Sequence, residues 1–281
     1  MVAHGTDRAE TSGTSAVADS VLTKPFMRSG RIAMRVAGRD AGGYTLGKDM
    51  RARGTFIAVE GIDGSGKRTQ IELLGHALER RGIRYSCFSF PRYESSFGQL
   101  AASYLNGEFG PLDRVDPHFS ALLFAGDRFE SKAELETELG KGKVVLADRY
   151  IASNLAHQTA RVGPQRREEF SSWLKRLEYG IYGLPAEDLV IYLRLPAARA
   201  QELIGRKGSR DYTKLSRDLQ ESDLKHLEQA ALVYDRLATE ANWRTIECCE
   251  GTKGKLRSPE AIHADVLAAI ETLLPAVPAR A

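Results

Sequence analysis

The run Glu60-Gly-Ile-Asp-Gly-Ser-Gly-Lys-Arg-Thr69 constrains this chain more than any other. Before it stands Phe56-Ile-Ala-Val-Glu60; behind it Ile71, Leu74 and Leu78 recur on one helical face, with Gly82 just past the end. A short apolar run rich in Ile and Val reads as a buried strand, and the pattern that follows as a helix from about Lys67 to Arg81. Gly61, four residues, Gly66 and Lys67, set between strand and helix, have the spacing of a phosphate-binding loop. Glycine lets the backbone curl so that several N–H groups face an anion where a Cβ would intrude, and the helix N-terminus adds partial positive charge. Gly61, Ile62, Asp63, Gly64, Ser65, Gly66, Lys67, Arg68 and Thr69 are therefore candidate phosphate-binding residues, with Lys67 reaching the terminal phosphates. One position departs from the pattern. The hydroxyl that normally follows the lysine and holds Mg²⁺ is replaced by Arg68, which cannot coordinate a metal, and Thr69 comes one step later.

Further apolar runs follow at regular intervals. Tyr85–Phe90, Lys143–Ala147, Asp188–Leu193 and Arg244–Cys248 read as four more strands. Helical patterns occupy about Gly98–Asn106, Pro117–Leu139, a stretch from Pro196, and Pro259–Leu274. Alternating strands and helices predict an α/β fold of the P-loop NTPase type, a parallel five-stranded sheet with helices on both faces and a short lid. Residues 1–54 differ: they are rich in small polar residues, show no sustained period, and over the first fifty carry seven basic against five acidic residues. They read as a disordered extension, residues 55–275 as the domain and 276–281 as a tail. With 40 basic against 37 acidic residues the chain lacks the charge excess of a nucleic-acid binder. Three cysteines are too few for a disulfide framework, and neither a membrane-length apolar run nor a signal peptide is visible, so a cytoplasmic setting is expected.

In a sheet of this kind ligands lie beyond the carboxyl ends of the strands. There the sequence places Phe90-Pro-Arg92-Tyr93, Asp148-Arg149-Tyr150, Ser153-Asn154 and Ala156-His157-Gln158. An acidic residue directly after an apolar strand suits Mg²⁺ held through water, which nominates Asp148, and the planar fork of Arg149 suits phosphate. Phe124 and Arg128 share a helix face, and spacing alone favours Phe124 in the core and Arg128 in solvent over a base-stacking ring with an arginine beside it. Between the fourth and fifth strands, Arg206-Lys-Gly-Ser-Arg210 to Arg217 carries five basic residues and suggests a cationic lid over about 205–217.

Taken in order, the phosphate loop, Phe90-Pro-Arg-Tyr93, Leu123-Phe-Ala-Gly-Asp-Arg128, Asp148-Arg-Tyr150 with Ser153-Asn154, and the basic stretch followed by Asp218-Leu-Gln-Glu221 resemble the thymidylate kinase family over residues 55–275. The likeness is to the actinobacterial form, which also has Gly-Lys-Arg-Thr in its loop. The resemblance implies phosphoryl transfer from ATP to dTMP with Mg²⁺, in a homodimer. It implies that Phe124 stacks on thymine, that Arg128 and Asn154 meet the base edge, and that Asp63 lies near the sugar. Phe90, Arg92, Tyr93 and Arg149 would position the acceptor phosphate, with His157 and Gln158 completing the dTMP site. Lys67, Arg149 and the lid arginines Arg206, Arg210 and Arg217 would be catalytic, the latter because Gly64 stands where some relatives carry a loop arginine. Asp63, Asp148 and Glu221 are the candidate metal ligands. His157 stands where the family often has a tyrosine. The rival readings are a kinase for another deoxynucleotide or deoxynucleoside, and a nucleotide-binding protein without turnover.

Overall fold

The computed structural model describes residues 53–204, 219–220, 223–251 and 254–275. The expected N-terminal extension (apart from its last two residues), the lid with Arg206, Arg210 and Arg217, the candidate ligand Glu221 and the tail lie outside the described residues.

Five short strands form one sheet: β1 (Phe56–Glu60), β2 (Tyr85–Ser89), β3 (Val144–Asp148), β4 (Leu189–Arg194) and β5 (Trp243–Glu247), in the order β2-β3-β1-β4-β5 with every pairing parallel. All five residues of β1 are buried. Successive strand residues face opposite sides, so both faces of the sheet are covered. One group of helices joins α1 (Lys67–Arg80) to α9 (Pro259–Ile270). The other packs α5 (Ile151–Thr159) against α3 (Pro117–Glu130), α6 (Arg167–Lys175) and α8 (Leu224–Leu237). The helices α2 (Ser96–Leu105), α4 (Lys132–Gly140) and α7 (Ala197–Ile204) complete the described set. None is long and apolar enough to cross a membrane.

Local chemistry accounts for the helix starts. Asp116 and Ser258 accept hydrogen bonds from His118 N (2.7 Å) and Ala261 N (3.2 Å), and a proline opens each helix where its missing N–H costs nothing. The single helix expected over Pro117–Leu139 is two helices, broken at Ser131. The Ser131 hydroxyl bonds back to Asp127 O (3.5 Å) and accepts from Arg92 Nη1 (3.1 Å), so a side chain competes with the helical ladder at that point.

The register positions the site. Val59 pairs with Asp148, so β1 and β3 end side by side, and Arg149 N continues the ladder onto Val59 O at 3.1 Å. β4 lies on the other side of β1. The chain therefore leaves the sheet at neighbouring points into the glycine loop and into α5, at the place where strand order reverses and α/β folds bind ligands.

Candidate active site

Between β1 and α1 the loop curls as its glycines allow. Gly61 and Gly64 have φ of 144° and 84°, and a Cβ on them would come within 2.6 Å of Leu193 O and 2.7 Å of Ala200 O. Lys67 is buried and turned back on its own loop, donating to Gly61 O (2.9 Å) and Ile62 O (3.0 Å). Burial, and next the neighbouring Arg149, pull its pKa down to about 8 against the carboxylates of Asp63, Asp148 and Glu60. The Ser65 hydroxyl is buried with no partner among the described residues. Arg68 faces outward on α1 and pairs with Glu72 at 3.0 Å, its side chain 87% exposed, rather than bringing charge to the loop. Thr69 is exposed.

Arg149 joins this loop to a second site. It holds a left-handed backbone conformation (φ 68°), donates to Ser153 Oγ (3.0 Å) and Gly61 O (3.4 Å), and forms an ion pair with Asp63. Its setting rests on Glu60, a fully buried carboxylate. Glu60 Oε1 accepts from Tyr150 N (2.6 Å) and Ser153 N (3.1 Å), and Oε2 from Ser153 Oγ (2.6 Å) and Tyr234 Oη (2.8 Å). A carboxylate over the first N–H groups of α5 satisfies donors that no helical carbonyl reaches and complements the helix dipole.

Beyond Arg149 opens a cleft of about 510 Å³, open mouth included, lined by Asp63, Phe90, Pro91, Tyr93, Leu105, Phe124, Arg128, Arg149, Ser153, Asn154, His157, Gln158 and Gln220. Every dTMP-site candidate from the sequence lines it except Arg92. That side chain turns away, bonding Ser131 Oγ (3.1 Å), Glu134 (2.8 Å) and Glu94 (3.3 Å), while its backbone N–H donates to Asp127. The solvent position that spacing favoured for Arg128 is overturned. It is 2% exposed, its Nε and Nη2 donating to Glu178 at 2.6 and 2.7 Å. Phe124 presents its ring to the cleft and meets Tyr104 edge-on, centroids 5.9 Å apart.

Besides Ser153, α5 presents three polar residues to this cleft. Asn154 Nδ2 donates to Ala121 O (3.0 Å) and Glu178 Oε1 (2.9 Å). Gln158 Oε1 accepts from Ser120 Oγ and Arg161 Nη1, both at 2.8 Å. His157 Nδ1 lies 3.2 Å from His226 Nε2 of α8, while its Nε2 is buried with no partner among the described residues. Burial, and next the charge of Arg149, hold the His157 pKa well down; burial, and next Arg161, bring His226 to about 4, so both rings are neutral near pH 7. Leu105 and Gln220 line the cleft, as do Pro91 and Ser153 of the strand-end motifs, though none of the four was a site candidate; nor were Glu60, Arg161, Glu178 and His226, which support lining residues from behind. Glu60 alone left a local sign, an acidic residue ending an apolar strand.

Of the metal candidates, Asp63 is engaged by Arg149 and Asp148 ends β3, half-buried. No group of three or more potential ligating side chains occurs among the described residues. One or two carboxylates suit Mg²⁺, which keeps much of its water and binds alongside substrate phosphates.

Three comparisons bear on this arrangement. Residues 59–253 match the family model described as thymidylate kinase. Thymidylate kinase of Mycobacterium tuberculosis (strain H37Rv) is 35% identical over 186 residues, 66% of this chain and 86% of that protein. The human enzyme is 32% identical over 215 residues, 76% of this chain and 88% of its own. Among solved structures, the thymidylate kinase of Candida albicans shares the fold with a TM-score of 0.62 at 23% identity, covering 78% of this chain and 92% of that one.

Proposed function

Because this chain belongs to the thymidylate kinase family, we propose that its glycine loop holds the phosphates of ATP and that the adjoining cleft holds dTMP, with transfer where the two meet at Arg149. The activity is phosphorylation of dTMP by ATP, a nucleoside monophosphate kinase reaction. The observation that carries the site assignment is the continuity of the two halves. Arg149 bonds Gly61 O of the loop and pairs with Asp63, and both side chains also line the cleft.

Phosphoryl transfer asks little covalent chemistry of a protein. It asks for two nucleotides aligned, water excluded and charge on the transferring oxygens neutralised. Loop N–H groups and Lys67 take the donor phosphates, Lys67 exchanging its two carbonyl bonds for phosphate oxygens. Arg149 takes the acceptor phosphate. His157, one turn along α5 from Ser153, faces the sugar. Phe124 stacks on the base, while Arg128 and Asn154 meet its edge. Mg²⁺, arriving with ATP, would neutralise phosphate charge and be held by Asp148 through water, with Asp63 and Glu221 nearer the acceptor. Arg206, Arg210 and Arg217 are proposed as further cations over the donor. A homodimer and a cytoplasmic setting belong to the same reading and rest on the family.

The test is an ADP-release assay coupled to NADH oxidation, run with dTMP, dCMP, AMP and GMP. dTMP is expected to be strongly preferred. Equal turnover of AMP or GMP would remove the thymidylate assignment, and no ADP release with any acceptor would leave a nucleotide-binding protein without turnover.

A further inference from the structure

Glu178 forms no part of the cleft wall, yet it holds two residues that do. It lies in the π-helical segment Arg176–Ile181 that follows α6 and is fully buried. Its Oε2 accepts from Arg128 Nε at 2.6 Å, and its Oε1 from both Arg128 Nη2 (2.7 Å) and Asn154 Nδ2 (2.9 Å). The other amide hydrogen of Asn154 is taken by Ala121 O at 3.0 Å.

This pattern fixes which way the amide points. Both Nδ2 hydrogens face acceptors that cannot donate, a carboxylate and a backbone carbonyl. Turning the amide over would set its oxygen against two other oxygens, so one orientation alone satisfies the network. That orientation leaves Asn154 Oδ1 as the polar atom for the cleft, and it is buried with no partner among the described residues. Arg128, with Nε–H and one Nη2–H committed to Glu178, keeps the second Nη2–H and both Nη1 hydrogens as donors. The wall thus offers a hydrogen-bond donor beside an acceptor. The O4 and N3–H of thymine are an acceptor beside a donor and complement it. Cytosine carries an amino group and an unprotonated N3 at the same places, and opposes it at both.

We propose that Glu178 is a positioning residue that sets base choice: by holding Arg128 and the Nδ2 of Asn154 together, it locks the asparagine with its oxygen toward the base, so that 4-keto pyrimidines are accepted and 4-amino pyrimidines refused. The proposal rests on the cleft being the dTMP site. A buried ion pair is weak evidence for stability, and in some systems it serves conformational specificity instead; here the specificity is the direction of one amide. The irregular π turn fits this use, since such turns recur at functional sites.

The test compares kcat/KM for dTMP and dCMP in the full chain, with folding checked by circular dichroism. In Glu178→Gln the amide loses its enforced direction, and the dCMP-to-dTMP ratio is expected to rise about tenfold or more. In Glu178→Asp, which keeps a carboxylate that can only accept, the ratio is expected to stay within about threefold of the parent. A ratio unchanged in Glu178→Gln overturns the proposal, as does a fall in both substrates together. Should Glu178→Gln not fold, Glu178→Asp decides alone, a retained dTMP preference supporting the proposal and a lost one overturning it. Failure of the underlying reading is recognised separately, because the parent enzyme would then not distinguish dTMP from dCMP.

Discussion

The two halves of the site are built in opposite ways. In the donor half, the loop that cradles phosphate lies within one short run: Lys67 bonds carbonyls only six and five residues before it, and the glycines turn the chain between them. In the acceptor half, Arg128 meets Glu178 across 50 residues, Asn154 meets Ala121 across 33, and His157 meets His226 across 69. Glu60 ties the halves together, reaching Tyr234 across 174 residues. Phosphate is an anion without edges, and a curled backbone and nearby cations can hold it without a fixed pattern of partners. A base has a pattern of donors and acceptors, and matching it requires side chains whose directions are fixed by partners from elsewhere in the fold.

The largest effect should come from removing the one cation of the local half. Lys67→Met is expected to lower kcat roughly a hundredfold to a thousandfold, the loss typical of one electrostatic stabiliser of a transition state, with dTMP KM little changed. Steady-state kinetics check it; a large rise in dTMP KM with kcat preserved would break the comparison.

A smaller effect should follow pH. Lys67 binds phosphate as the cation, and in the free enzyme its pKa is held near 8 by burial and Arg149. The protonated form dominates below that value and is lost above it. kcat/KM for ATP is therefore expected to fall above pH 8, about tenfold per unit once well past it. In Lys67→Arg, which stays charged, that fall should vanish. A decline shared by both enzymes would assign it to another group.

The smallest effect belongs to Arg68. Its pair with Glu72 is exposed, and such pairs contribute about 0.3–0.5 kcal/mol. Arg68→Ser should change the melting temperature by no more than about 2 °C and kcat by less than about twofold. A loss of activity comparable to that of Lys67→Met would show that Arg68 swings to the donor phosphates.

The same contrast governs what was legible in the sequence. The sheet, its parallel strands and the phosphate loop follow from local period and glycine spacing, and the structure has them within a residue or two at most strand ends. The break at Ser131 was not legible, because the Ser131 hydroxyl bonds both back along its own helix and to Arg92, 39 residues away. Arg128 read as solvent-facing by spacing because Glu178, which makes its burial tolerable, sits in an irregular segment without a pattern of its own. Arg92 belongs to a motif beside the cleft, yet Glu94 and Glu134 draw its guanidinium away. A one-dimensional pattern shows which residues share a face; it does not show which distant carboxylate will claim an arginine.

The central claim is that a locally built donor half and a distantly assembled acceptor half bind their nucleotides by separate means. Calorimetric titration of the non-hydrolysable analogue AMP-PNP and of dTMP into Lys67→Met and into Phe124→Ala tests it most directly. Lys67→Met should lose at least about tenfold in affinity for the ATP analogue and stay within about twofold for dTMP, and Phe124→Ala should show the reverse. If each substitution weakens both nucleotides equally, the two halves are not separate and the account is wrong.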